Sequence, residues 1–174
     1  MQIRDSNEHD HEAIRAVHRS AFGPQEGPAV SQLAVDLLTD PSARPLLSLV
    51  AQEQGEVLGN VIFSAVTVSG HAQASGSILC PLAVIPARHG QGIGAALVDR
   101  GIALLRERGV EIVLVLGDPR YYSRFGFAAG HHLEPPYPLP YPEAWMALEL
   151  KPGALATVVG TVRCAVSLND PRHW

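Results

Sequence analysis

Lysine is almost missing from this sequence. Lys151 is the only one, against twelve arginines, so any bound phosphate must be held by backbone N–H groups or by arginine. A nucleoside triphosphate loop, which needs Gly-Lys-Ser/Thr at its end, is excluded on that ground. Cysteine is equally sparse. Cys80 and Cys164 are too few for a disulfide framework, and each alone reads as a small buried apolar residue. No apolar run approaches the roughly 18 residues of a membrane span, and the opening stretch MQIRDSNEHDHE is too polar for a secretory leader. Positive charge is not in excess either. Seventeen acidic against 13 basic residues give a net charge of −4, which offers no electrostatic reason for nucleic acid or an anionic membrane as partner. The expectation is a soluble cytoplasmic protein, with a homodimer left open.

What is present is enough for one domain over residues 1–174, with a core of about 2–150 and a tail of 151–174. A short strand at Gln2–Arg4 precedes a helix capped by Asp10, with Ile14, Val17, His18 and Ala21 on one face and Gly23 as its stop. A second helix starts near Pro28 and carries the stripe Val30, Leu33, Ala34, Leu37, Leu38 up to Pro41. The segments LLSLVAQE and EVLGNVIFSAVTVS flank Gln54-Gly55 as an antiparallel hairpin. The strand ILCPLAVI is interrupted by Pro81, which signals a bulge or a broken ladder. A helix with Leu97, Val98, Gly101, Leu104 and Leu105 on one face then leads to EIVLVLG, a run apolar enough to be covered on both faces. Strand, glycine loop, helix and parallel strand make a right-handed crossover. Asp118-Pro119 caps a short helix closed by Gly126, residues 128–143 read as a surface loop, and WMALELK is the last strand. The tail after Pro152 has no readable pattern. The fold class is a mixed α/β sheet, antiparallel at its N-terminal side, with a parallel βαβ unit and helices on both faces.

The chemistry centres on ARHGQGIGAAL, residues 87–97. Gly90, Gly92 and Gly94 let a ligand approach the backbone, and the helix that follows points its free N–H groups and positive dipole end at the same place. That is an anion site. The dinucleotide fingerprint is formally matched by Gly90, Gly92 and Ala95, but PARH separates the glycines from their strand, and the preceding strands are antiparallel.

The words PLAVIPARHGQGIGAALVDRGIALLRERG and YYSRFGF, in this order of elements, resemble the Gcn5-related N-acetyltransferase (GNAT) superfamily over residues 2–150. LGDPRYYSRFGF and the later PGAL are similar to a bacterial subgroup of N-acetyltransferases. The resemblance implies that acetyl-CoA is the cosubstrate. Its pyrophosphate would lie on a Q/R-x-x-G-x-G/A loop, here His89, Gly90, Gln91, Gly92, Ile93, Gly94 and Ala95, with His89 or Gln91 at the Q/R position. It also implies that the pantetheine arm runs along Leu82, Ala83 and Val84, pairing with Leu82 and Val84 like an extra strand. The Val84 N–H is then the expected oxyanion donor. Tyr122 stands where relatives place a tyrosine near the CoA sulfur, and a phenol of pKa near 10 is a sensible proton donor to a thiolate.

The acceptor implied is an amine of a small molecule or peptide, attacking directly. The alternative is a noncatalytic acyl-CoA-binding sensor or partner module. Glu26, read as lying between the first two helices, and His131, beside the proline-rich loop, are the candidate acceptor contacts. His18 on an apolar face reads as a core histidine. His131 and His132 are adjacent, but no third ligand stands at a recognisable spacing, so no metal is expected.

Overall fold

The computed structural model describes all of Met1–Trp174. Its strands in chain order are β1 (Gln2–Asp5), β2 (Leu47–Glu53), β3 (Glu56–Val68), β4 (Gly76–Val84), β5 (Ile112–Leu116), β6 (Leu133–Glu134), β7 (Trp145–Glu149) and β8 (Gly160–Arg163). The main sheet runs β1-β2-β3-β4-β5-β7. Only the β4–β5 pairing within it is parallel. Gln54 and Gly55 both have positive φ, which matches the twist of the β2–β3 hairpin and closes it in two residues. The parallel pair requires a crossover, supplied by helix α2 (Ile93–Glu107).

Side-chain parity sorts the two faces. Ile62, Ile78, Ile112 and Leu114 face helix α1 (His11–Thr39), whose Ile14, Leu33, Ala34 and Leu37 complete that core. Their neighbours Val61, Phe63, Leu79, Val113 and Val115 face α2 through Ile93, Leu97, Val98 and Leu105. Gly101 allows the closest approach, because a Cβ there would stand 2.2 Å from the Phe63 ring.

The expectation of two helices separated near Gly23 holds in a tighter form. Gly23 (φ 73°, ψ −173°) bends α1 into two arms, and the second arm starts at Pro24 rather than near Pro28. Glu26 is therefore in a helical turn and not in a loop. Asp10 does not cap α1 with its side chain. Its two oxygens are held by the Arg4 guanidinium at 2.7 and 2.8 Å, and one also accepts from the Asn7 N–H.

The tail is part of the core. After helices α3 (Pro119–Tyr122) and α4 (Ala154–Thr157), β8 pairs with β3 and β6, and Val158, Val162, Ala165 and Leu168 are buried against the α1 side of the sheet. Asp40, at the end of α1, fastens this segment by accepting from the Ser167 N–H at 2.9 Å and the Ser167 hydroxyl at 2.6 Å.

Candidate active site

Strands β4 and β5 stay paired from Gly76↔Ile112 to Leu79↔Val115 and then part. On the other side of β4 a bulge intervenes. Phe63 is opposite Leu79 and Val61 is opposite Leu82, so Cys80 and Pro81 together face Ile62. Beyond the bulge the ladder phase is set by the Ile85 N–H, which donates to the Leu58 carbonyl at 2.9 Å. Antiparallel hydrogen bonding alternates, so the peptide groups of Leu82 and Val84 point away from β3, toward the gap that β5 leaves. An unpaired strand edge of this kind accepts an extended ligand.

At the Val84 end of this edge lies the glycine loop. Gly90 and Gly92 have φ of 74° and 79°, and a Cβ at either would meet nothing within 4 Å. Gly92 is the N-cap of α2 and offers no side-chain cap. The first helical bond runs from the Ala96 N–H to the Gly92 carbonyl, which leaves the Ile93, Gly94 and Ala95 N–H groups free. This first turn borders a cavity of about 510 Å³ shared with Leu82, Val84, Tyr121 and Arg124. A Cβ on Gly94 would come within 2.8 Å of the Tyr121 hydroxyl, so glycine sets the distance between the turn and that ring.

Of the two side chains at the Q/R position, His89 is engaged with the strand edge and Gln91 does not border the cavity. His89 Nε2–H donates to the Val84 carbonyl at 2.7 Å and pins the loop to the strand edge. The Gln91 amide oxygen accepts from Arg88, whose guanidinium also binds Glu53. The free cation here is Arg124. Its Nε donates to the Tyr121 carbonyl at 3.0 Å and its guanidinium stacks on the Tyr121 ring at 4.5 Å, which leaves the terminal nitrogens available. Sequence alone reads Tyr121 as structural and does not single out Arg124; the shortage of lysine is the signal that points to arginines near the loop.

A second cavity, of about 570 Å³, opens on the other side of Leu82. Tyr122 lines it, with its ring against Gly117, where a Cβ would come within 2.3 Å, and edge-on to Phe127 at 5.8 Å. Asp118 caps α3 by accepting from the Arg120 N–H at 2.9 Å, and this places Tyr122 at the end of β5. Burial, with Tyr121 and Cys80 nearby, pushes the Tyr122 phenol above its ordinary pKa, so it keeps its proton. Leu82 lines both cavities, whereas Val84 lines only the one at the glycine loop.

Glu26 lines the Tyr122 cavity and is its one carboxylate side chain. His131 does not line it. It borders a separate depression with Ala128 and Gly130, and both ring nitrogens are engaged: Nε2–H donates to the Trp145 carbonyl at 3.1 Å and Nδ1 accepts from the Leu133 N–H at 3.2 Å. The histidine expected at the acceptor is instead a brace between β6 and β7. His18 is fully buried beneath the sheet, with Nε2–H donating to Asn60 Oδ1 at 2.8 Å. The Asn60 amide nitrogen is committed to Ser48 Oγ and the Leu49 carbonyl, which fixes that orientation and leaves His18 Nδ1 without a partner.

Comparison with known proteins decides the family. The sequence is 40% identical over 158 residues to the uncharacterized N-acetyltransferase YjhQ of Escherichia coli (strain K12), covering 87% of this chain and 85% of that one. The chain belongs to the GNAT acetyltransferases. The family model described as an acetyltransferase (GNAT) domain matches residues 45–129, from the hairpin to the aromatic segment. Among solved structures, the E. coli GNAT family N-acetyltransferase YhbS in complex with CoA superposes with a TM-score of 0.88 at 35% identity, covering 97% of this chain and 92% of that one. A GNAT family acetyltransferase from Brucella melitensis, in complex with acetyl-CoA, gives 0.76 at 32% identity, with coverage of 95% and 96%.

Proposed function

We propose that this protein is an N-acetyltransferase that moves the acetyl group of acetyl-CoA to an amine by direct attack. The observation that carries the reading is the meeting of two cavities at Leu82: an uncapped helix turn on one side, an apolar pocket with a protonated tyrosine on the other. The N–H groups of Ile93, Gly94 and Ala95 and the guanidinium of Arg124 suit a pyrophosphate without any lysine. The relatives solved with CoA and acetyl-CoA support this assignment.

With the phosphates at α2, the reacting end of an extended chain along β4 falls beyond Val84. We therefore assign the oxyanion donor to the Leu82 N–H, in place of the Val84 N–H expected from sequence. Leu82 faces the gap and borders the Tyr122 cavity; Val84 faces the gap at the phosphate end, with its carbonyl taken by His89. A backbone donor aimed at the oxygen where charge develops contributes to the rate without reorganising. As the C–N bond forms and the C–S bond breaks, the Tyr122 O–H gives its proton to the departing sulfur. The proton shed by the amine goes to solvent, and the phenol is reprotonated from there.

The test is release of free CoA thiol with an amine panel, wild type beside Tyr122→Phe. Turnover by the wild type and a fall of roughly 10²–10⁴-fold in the variant, with acetyl-CoA affinity little changed, is the expected result. Acetyl-CoA binding with no thiol release for any amine identifies a noncatalytic acyl-CoA-binding module instead. Near-normal turnover in folded Tyr122→Phe removes the tyrosine from the mechanism.

A further inference from the structure

The last residues of the chain, which carry no readable pattern in the sequence, form a wall of the Tyr122 cavity. Arg172, His173 and Trp174 line it opposite residues of α1 and the β4–β5 gap. Trp174 is held firmly there. Its indole N–H donates to the Leu168 carbonyl at 2.9 Å, and its ring lies edge-on to Trp145 at 5.7 Å and tilted against Tyr137 at 6.2 Å. Leu168 is in turn buried in the core, so the wall is anchored to the body of the fold.

Charge and shape narrow what this cavity can take. Phe22, Val30, Leu33 and Tyr122 join Trp174 in giving it a mostly apolar lining. Glu26 is its single carboxylate side chain; Arg172 borders the cavity, but its guanidinium is 88% exposed and paired with Asp170. Asp170, the one acid of the C-terminal segment, is outside the cavity. A polyamine or aminoglycoside would desolvate several ammonium groups against one carboxylate side chain, which is costly. A monoamine on a flat apolar body leaves no charge unpaired and buries its apolar surface.

Resting on the acetyltransferase reading above, we propose that Trp174 is a specificity-determining residue and that the acceptor is a primary monoamine on an apolar body of aromatic size. The Asp170–Trp174 segment then selects the acceptor and leaves the cosubstrate untouched, because none of its residues borders the glycine-loop cavity.

The experiment compares 2-phenylethylamine and tryptamine with spermidine and kanamycin as acceptors, reading thiol release, for wild type, Trp174→Ala and Val30→Trp. The arylalkylamines are expected to give the highest kcat/KM. Trp174→Ala should raise their KM by about tenfold or more, with kcat within about threefold and the KM for acetyl-CoA unchanged, the signature of lost acceptor binding alone. Val30→Trp fills the cavity from the opposite wall and should abolish acceptor turnover while acetyl-CoA still raises Tm. That variant gives an answer even if Trp174→Ala does not fold. Preference for spermidine or kanamycin, an unchanged acceptor KM in Trp174→Ala, or full turnover in Val30→Trp overturns this inference and leaves acetyl transfer standing. No thiol release with any of the four amines, acetyl-CoA still binding, overturns the acceptor assignment, and the acetyltransferase reading falls with it only if every other amine of the panel is also inert.

Discussion

His18 takes no part in the chemistry and still has a measurable effect on stability. Its ring is sealed between α1 and the sheet, and burial lowers its pKa to about 4, against a smaller lift from the hydrogen bond to Asn60. An unfolded histidine titrates near 6.5. Between those values the unfolded chain takes up a proton that the folded chain refuses. Stability is therefore complete above pH 6.5 and falls as pH drops toward 4, by about 3 kcal/mol in all. His18→Gln keeps a donor for Asn60 but does not titrate. Denaturant unfolding at a series of pH values should show a wild-type decline over this window that is much reduced in the variant; parallel curves would mean that His18 is not the group responsible. The sequence placed His18 on an apolar helix face, which was enough to disfavour catalysis. It did not place Glu26 or Trp174 in one cavity, because they meet only through the docking of a segment some 140 residues downstream.

Among the elements, α2 offers an internal control. Gly92 before its first turn and Gly109 after its last have the same φ of 79°, and a Cβ at either meets nothing within 4 Å. Valine at either position carries the same left-handed strain, of order 1–3 kcal/mol. Only Gly92 borders the glycine-loop cavity. Gly92→Val and Gly109→Val should thus lose similar stability in urea, while acetyl-CoA binding by calorimetry weakens sharply in Gly92→Val alone. Equal affinities would remove the phosphates from this turn. The hairpin, α2 and β5 were legible because alternation, a 3.6-residue stripe and an unbroken apolar run are local signals. Pro81 likewise announced the break in the ladder. Which amides face the gap, Leu82 and Val84, came from the family resemblance and not from local pattern: the position of the bulge decides the hydrogen-bond phase, and a one-residue change in it exchanges the two for their neighbours.

For the whole molecule, the tail is the element that sequence treated as an appendage and the structure places in the core. Its pieces, α4, β8 and two short 3₁₀ turns, run only three or four residues each, too short for any periodicity to register. Their energetic contribution is nonetheless central. Leu168 is 1% exposed within the α1-side core, and Leu168→Ala should cost about 2–5 kcal/mol by denaturant unfolding, as for other large core truncations. The Trp174 indole N–H bonds to the Leu168 backbone carbonyl, which alanine keeps, so the acceptor KM should rise in this variant only as far as the emptied core lets that backbone shift. A loss below about 0.5 kcal/mol would return the tail to the status of a surface strap.

The parting of β4 from β5 also makes the sheet discontinuous at its own centre. A free strand edge is usually found at a sheet's border, where it risks recruiting another chain. Here the open peptide groups lie in an interior seam, flanked by His89 at one end and Tyr122 at the other. On the mechanism proposed above, each catalytic cycle would close that seam with cosubstrate and reopen it when CoA departs, so that the sheet would gain and lose a strand once per turnover. Amide proton exchange at Leu82 then becomes a clock for occupancy: fast in the free protein, slowed by acetyl-CoA, and unaltered by an amine alone.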